Sequence, residues 1–412
     1  MPNDNDRRVL RDLAKQVADI AAKDVQDRRR DLWRRHNALE RTRPLIYVRW
    51  FACTDEVIPP ESLRCRDGLF RQYERAMRFS ILQDRLGDDT IVEPWITVGA
   101  VHAACAGPAR WGVPIRHSEK TAARGTWKFV PALADDADLD RLVPPRHVID
   151  ELATAERLGR MRDAVGDLIE VNASRAPVFW RWAGDISTDI AQLLGLEPFM
   201  LAMMDRPTFL HRLLAFMRDG ILAAHAQAEA AGDWTLGDHE NQAMPYATGL
   251  PDPAANSKPV KRKDLWCFLA SQETTLVSPA MFEEFMLRYQ IPIMAEFGLS
   301  AYGCCEDLTR KIDLLRKIPN LRRIAVTPWA NVAACAEQIG TDYVFSWRPS
   351  PAEMICRGFD PARVRRIARA GLDACRGTHV DVTLKDIETI AGRFEDLVEW
   401  TRIVREVIEE SC

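Results

Sequence analysis

No CxxC pair occurs among the ten cysteines of this 412-residue chain, so the spacings of a zinc ribbon or a thioredoxin-type centre are missing. No GxGxxG follows an apolar run and no GxxxxGKS/T appears, which removes the two common glycine-rich phosphate cradles. Apolar runs stop far short of the roughly 18–20 residues that a membrane-spanning helix needs. With 56 Lys+Arg against 60 Asp+Glu the net charge is −4, and nothing global draws the chain to nucleic acid or an anionic membrane. The opening MPNDNDRRVLRDLAKQ lacks the apolar stretch of a secretory signal, so the expected location is the cytoplasm.

What remains is the composition of an ordinary globular protein, 47% hydrophobic and 28% charged. The cysteines are scattered: Cys53, Cys65, Cys105, Cys267, Cys304, Cys305, Cys335, Cys356, Cys375 and Cys412. Most read as small core residues, because a disulfide scaffold belongs to short secreted chains. The adjacent pair Cys304–Cys305 is the exception.

Residues 6–40 are densely charged, with Leu10, Leu13, Val17, Ile20 and Ala21 at helical spacing. They predict an amphipathic N-terminal helical extension over 1–43, preceding one domain over 44–412. Acidic residues interrupt the arginines at 28–30 and 34–35, so this stretch reads as a solvated helix face rather than a nucleic-acid contact. Beyond Pro44, apolar runs predict strands at 45–51, 90–96, 176–182, 234–237, 299–303, 321–327, 342–347 and 379–384. Helices are expected near 67–86, 150–166, 205–230, 279–297, 307–317, 330–339, 360–375 and 388–410. Ser278-Pro279 and Asp360-Pro361 supply N-caps with a proline in the first turn. Eight strands alternating with helices predict an α/β fold, a single (β/α)8 TIM-type barrel with right-handed crossovers. The irregular stretch 238–264 is expected either to cover an active site or to be a disordered tip.

Barrel enzymes gather their chemistry at the C-terminal ends of strands. Those ends carry Asp238-His239-Glu240, Cys304-Cys305-Glu306-Asp307, Pro328-Trp329, Arg348 and Lys385-Asp386 with Glu388. Earlier strands add Arg49, Glu93, Arg181 and Asp185. If the strand stops at Gly303, the following turn can present both thiols. A thiolate there with Glu or His from neighbouring strands makes an open zinc site, which would bind a thiol substrate and lower its pKa. Against this stands the plain alternative of one buried and one half-exposed cysteine. His239 is read either as a ligand or as an idle loop residue, and Glu273 either as a site residue or as part of a surface turn. Trp50, Trp95, Trp182, Trp234, Trp329 and Trp347 lie on or beside predicted strands, as core or as the wall of a flat pocket.

The run SQETTLVSPAMFEEFMLRYQIPIMAEFGLSAYGCCEDL, followed by IPNLRRIAVTPWANVAACAEQIGTDYVFSWRPSPAEM, resembles the uroporphyrinogen decarboxylase superfamily, and within it a branch with a YGCCE segment. The resemblance covers about 265–410 and weakens back to about 44. It implies a (β/α)8 barrel and two chemistries: cofactor-free decarboxylation, and zinc-dependent methyl transfer between methylcobalamin and a thiol. The decarboxylase's arginine-rich first-strand motif is reduced here to Arg49 in Tyr47-Val48-Arg49-Trp50, and Glu93 stands where its aspartate is expected. The methyltransferases' His-x-Cys is matched by Tyr302-Gly303-Cys304, keeping the cysteine and losing the histidine.

The resemblance therefore implies a zinc-dependent, corrinoid-linked methyltransferase. Its metal would be held by Cys304 with Cys305, Glu273, Glu388 and His239 competing for the other positions. Catalytic roles fall to Cys304, Glu273, Glu306 and Glu93. Arg49, Trp50, Arg181, Tyr302, Trp329, Arg348 and Lys385 would bind substrate. The expected partners are a small-molecule substrate and a corrinoid protein, with a homodimer as a further option. The competing expectation is a decarboxylase acting on a carboxylated aromatic or tetrapyrrole-like substrate, with arginines as carboxylate anchors; a non-catalytic binding barrel is the third.

Overall fold

The computed structural model describes residues 4–103, 109–121 and 127–411, so Cys105 and Cys412 lie outside the description, as does the side chain of Trp182. Two helices open the chain, α1 (Asp4–Ala21) and α2 (Asp24–Asn37), where one amphipathic extension was expected. The apolar stripe of α1, Val9, Leu10, Leu13 and Val17, is buried against Phe70 and Met77 of α3 (Gly68–Arg85) and Met161 of α4 (Glu151–Val165). Asp67 caps α3 and Asp150 caps α4 through their carboxylates, which satisfy N–H groups that a helix start leaves bare.

Six parallel strands form one sheet in the order β1-β8-β7-β6-β5-β4: β1 (Leu45–Val48), β4 (Trp266–Leu269), β5 (Leu299–Tyr302), β6 (Leu321–Val326), β7 (Val344–Trp347) and β8 (His379–Leu384). A second parallel pair joins β2 (Trp95–Gly99) to β3 (Glu170–Ser174). Irregular segments occupy both edges of the large sheet. At β1, Asp89 N–H donates to the Ile46 carbonyl at 2.8 Å. At β4, Glu240 N–H donates to the Trp266 carbonyl at 3.3 Å, and Ser174 Oγ of β3 donates to Asp238 at 2.7 Å. Helices α5 (Ser187–Leu194), α6 (Leu196–Asp205) and α7 (Pro207–Ala230) lead towards β4; α8 runs through Pro279–Phe282, a π-turn at Glu283–Leu287 and Arg288–Ala295. After it come α9 (Val332–Ile339), α10 (Pro361–Ala374) and α11 (Glu395–Ser411). Ser278 and Asp360 cap α8 and α10 as expected.

The sheet is strongly curled. On a flat sheet β1 and β4, five steps apart, would be separated by roughly 24 Å at about 4.8 Å per step. Yet residues just beyond both strands, Arg49 and Gln272, line one cavity of about 270 Å³. At the opposite end of the sheet, α2 is pinned by a buried polar network. Arg323 of β6 donates to Asp381 Oδ2 of β8 at 2.7 Å and to Asn37 Oδ1 of α2 at 3.0 Å, with His36 Nε2 3.4 Å from the same carboxylate. Ser346 and Thr383 donate to the other oxygen, both at 2.8 Å. All five donor and acceptor pairs are buried, which requires such completeness because unpaired charge there is costly.

Several predicted elements are corrected. The stretch 176–182 is not a strand; the strand is Glu170–Ser174, and Trp180 instead packs edge-on against Trp234 at 5.1 Å. The stretch 234–237 is not a strand either: Thr235 and Asp238 cap each other into a tight turn at Leu236–Asp238. The expected strand at 90–96 begins only at Trp95, and Trp266–Leu269 is a strand that the sequence pattern did not disclose. The helix expected at 307–317 is one turn, Ile312–Leu315, and the last helix starts at Glu395 rather than 388. No helix among the described residues is long and apolar enough to cross a membrane.

Candidate active site around Cys304 and Cys305

Strand β5 ends at Tyr302, and Gly303 turns the chain with φ +97°, a conformation that only glycine adopts freely. This turn lets two consecutive thiols face the same way, which strand geometry alone forbids. Glu306, fully buried, fixes it: one carboxylate oxygen accepts Cys304 N–H at 2.7 Å and Cys305 N–H at 2.9 Å, and the other accepts Ser271 N–H at 2.8 Å. A Cβ on Gly303 would lie 2.6 Å from Leu308 Cδ1 and 3.1 Å from Ala325 Cβ. Gly303→Ala is therefore expected to cost about 1–3 kcal/mol in denaturant unfolding, from strain and crowding together, and to slow alkylation of Cys304.

The two Sγ atoms are 3.3 Å apart, and Lys385 Nζ, arriving from the end of β8, lies 3.2 Å from Cys304 Sγ and 3.4 Å from Cys305 Sγ. Asp386, itself at φ +56°, pairs with the same ammonium at 2.7 Å, and its carboxylate lies 3.4 Å from Cys305 Sγ. Arg348 donates to the Cys304 carbonyl and, at 2.8 Å, to Gln242 Oε1. A hydrogen bond from Cys305 is the strongest influence lowering the Cys304 thiol, to about 6; burial opposes it, and the charges of Lys385 and Arg348 add to it. The Cys305 thiol is pushed far up by the same hydrogen bond and by burial. At neutral pH the pair is one thiolate and one thiol. Four buried cysteines elsewhere behave otherwise: burial pushes Cys53, Cys65 and Cys375 up to about 12 and Cys335 up to about 11.

Arg49, Phe51, Ala52 and Gln272 complete the cavity wall. The Nε atoms of Arg49 and Arg348 and the Nε2 of Gln242 are buried without a partner. Of these three residues Arg49 lines the cavity, where a guanidinium suits an anionic or carbonyl-bearing ligand.

The other predicted site residues are dispersed. Tyr302 is buried behind the site, donating to Gln290 Oε1 at 2.7 Å. Glu273 is held by Ser187 Oγ at 2.5 Å and Thr188 Oγ1 at 3.3 Å. Glu388 is exposed beyond the end of β8. His239 sits at the opposite end of the sheet, its Nδ1 accepting the N–H of Trp266, the first residue of β4, at 3.2 Å; burial lowers its imidazole to about 4. Glu93, ahead of β2, is bound by Arg30 at 2.9 Å and Tyr246 at 2.8 Å, and burial raises its carboxyl. Trp50 is core, stacked on Phe79, and Arg181 lies half-exposed 3.5 Å from Glu240. Trp329 is 78% exposed on the loop after β6. Of the residues that complete the site, Asp386 adjoins a strand end and could have been chosen on that ground. Gln242, Gln272 and Phe51 carry no signal in the sequence that marks them.

A zinc site does not fit this arrangement. Zinc in an open catalytic site takes three protein ligands, and among the described residues no group of three His, Cys, Asp or Glu side chains is placed to hold a metal. The lysine ammonium occupies the flank of both sulfurs where a cation would sit.

Comparison with protein-family models and with curated proteins finds no match. Among solved structures, the fold is similar to a methyltransferase from Methanosarcina mazei, with a TM-score of 0.52 at 14% identity, over 92% of this chain and 97% of that one. At that identity the likeness speaks to the fold alone.

Proposed function

We propose that this chain is a group-transfer enzyme on a closed (β/α)8 barrel, and that it moves a methyl group between a small-molecule substrate and an acceptor through the Cys304 thiolate. The observation that carries the reading is the 3.2 Å approach of Lys385 Nζ to Cys304 Sγ on the wall of a cavity. Barrel closure is supported by two parallel ladders among the described residues, one of six strands and one of two, and by the curl that brings both edges of the larger sheet to one cavity. Methyl transfer is favoured by the likeness to a methyltransferase across nearly the whole of both chains. The uroporphyrinogen decarboxylase superfamily remains the proposed relationship, on the sequence segments given above.

In this reading the Cys304 sulfur attacks the methyl carbon of a donor in which that carbon is bonded to a heteroatom. The S–CH3 bond forms, the heteroatom–carbon bond breaks, and the electron pair leaves with the heteroatom. In the return step the acceptor attacks the same carbon and Cys304 departs as thiolate. The charges that lower its pKa also make it a better leaving group, since Lys385 and Arg348 stabilise the anion in both steps. Arg49 faces the cavity to pair with a negatively charged donor. The proposed acceptor is a corrinoid on a partner protein; Phe51, 56% exposed at the cavity, and Trp329 on the same face offer it apolar surface. No step here uses zinc.

Methyl 4-nitrobenzenesulfonate, a simple methylating probe, should modify Cys304 alone, with a rate midpoint near pH 6, and an added thiol or reduced cobalamin should remove the methyl group. Peptide mass spectrometry reads both steps. Methylation spread over Cys53, Cys356 or other thiols, or a methyl group that never leaves Cys304, would sink the proposal. The Arg49 guanidinium on the cavity wall, its Nε without a partner, favours cofactor-free decarboxylation as the second reading. Carbon dioxide release that survives Cys304→Ser would select it.

A further inference from the structure

We propose that Cys304 and Cys305 form a dithiol chelate for trivalent arsenic, taken as arsenite or a monoalkyl arsonous acid. This goes beyond the methyl-transfer reading and does not require it. Both sulfurs line the same cavity and both face Lys385 Nζ, so they project side by side rather than to opposite faces.

A direct disulfide is a poor use of this pair. Neighbouring Cα atoms across a trans peptide are about 3.8 Å apart, whereas a disulfide wants about 4.4–6.8 Å. Inserting one bridging atom relieves that mismatch. The geometry also selects which atom. With sulfur bonds of about 2.3 Å, the length typical of zinc–thiolate bonds, sulfurs 3.3 Å apart subtend roughly 90° at the bridging centre. That angle is too narrow for tetrahedral zinc and suits the pyramidal bonding of trivalent arsenic, which carries a lone pair. Such a centre also needs no third protein donor, because its remaining substituent is its own hydroxyl or carbon; none is placed here among the described residues.

The chemistry balances without an oxidant. R–As(OH)2 loses both hydroxyl groups as water while two As–S bonds form. One proton comes from Cys305 and the other from solvent, the Cys304 sulfur being already ionised, and arsenic stays trivalent. The chelate is uncharged, which leaves Lys385 to its 2.7 Å pair with Asp386.

The test is titration of the reduced full-length protein with phenylarsine oxide, followed by intact mass and by counting reactive thiols. One arsenical per chain is expected, with loss of two thiols, released by 2,3-dimercaptopropanol and retained in excess mercaptoethanol. Cys305→Ser should weaken binding by at least about a hundredfold, the scale of lost bivalency. Cys356→Ser, at a half-exposed thiol elsewhere, should change nothing. Undiminished binding by Cys305→Ser, loss of a single thiol, or ready formation of a Cys304–Cys305 disulfide in air would overturn the proposal. Wild-type protein that is methylated at Cys304 yet takes up no arsenical, or takes up one arsenical yet is not methylated, separates this inference from the methyl-transfer reading.

Discussion

Lys385→Met is expected to raise the pH midpoint of Cys304 alkylation from about 6 to near 8, and to slow alkylation at pH 7 by about tenfold. Methionine keeps the length and apolar stem of lysine but removes a charge 3.2 Å from the sulfur. Loss of a cation disfavours the thiolate, so the shift is upward; each unit corresponds to about 1.4 kcal/mol. The shift stays partial because the Cys305 hydrogen bond and the Arg348 charge persist. The same variant fixes a stability effect. A thiol whose folded pKa is depressed stabilises the fold above its unfolded value of about 8.5, and that contribution fades as pH falls to the folded value. The variant should therefore lose most stability in alkaline solution and little near pH 5. Iodoacetamide rates across pH 5–9, with denaturant melts at the two extremes, measure both. An unmoved midpoint would mean that the thiolate owes nothing to Lys385.

Arg323→Met should cost about 3–5 kcal/mol in denaturant unfolding, the usual penalty for leaving one member of a buried ion pair. Asp381 is fully buried, and the Arg323 guanidinium is the first of the influences that hold its carboxyl far below the usual carboxylate range against the cost of burial. In the wild type that depressed pKa contributes stability above the unfolded value near 4, lost as pH falls below it. Without Arg323 the carboxyl must take a proton to remain buried, so the variant should gain stability relative to wild type as pH drops from 7 to 5. Combining Arg323→Met with Asp381→Asn should recover much of the loss, since removing both charges avoids the stranded one. A double variant no better than the single one would locate the cost in packing against Trp33, whose ring the guanidinium covers at 5.7 Å.

The sequence disclosed the later strands better than the earlier ones, for a physical reason. The strands at 321–326, 344–347 and 379–384 are rich in β-branched and aromatic residues bounded by turns. Glu170–Ser174 has one β-branched residue, Val171, whereas the aromatic stretch after it is a loop whose Trp180 fills space between Trp234 and Phe297. Trp266–Leu269 is four residues buried on every side, so it shows no alternation.

These boundary errors account for two candidates that lie away from Cys304. Reading 234–237 as a strand put His239 at its C-terminal end, and reading 90–96 as a strand put Glu93 inside one; in the fold both stand ahead of the strands they serve, on the side away from Cys304. Cys304, Cys305, Arg348 and Lys385 were legible because each lies just past a strand whose end was placed to within one residue, whereas Arg49 was read inside a strand expected to reach 51 that ends at Val48. Gln242 and Gln272 come from irregular backbone, where position in sequence carries no direction in space.

The pairing of β1 with β8 sets the timing of folding. Leu45 is in register with Asp381, 336 residues later (381 − 45). During synthesis at about 5–20 residues per second, β1 waits on the order of tens of seconds for its neighbour. For that interval its hydrogen-bonding edge and the polar face of α2 around His36 and Asn37 have no partner, so the nascent chain is exposed to aggregation late into translation. Chaperone dependence should consequently fall on the N-terminal strand, beyond which Arg49 waits just as long for the rest of the cavity wall.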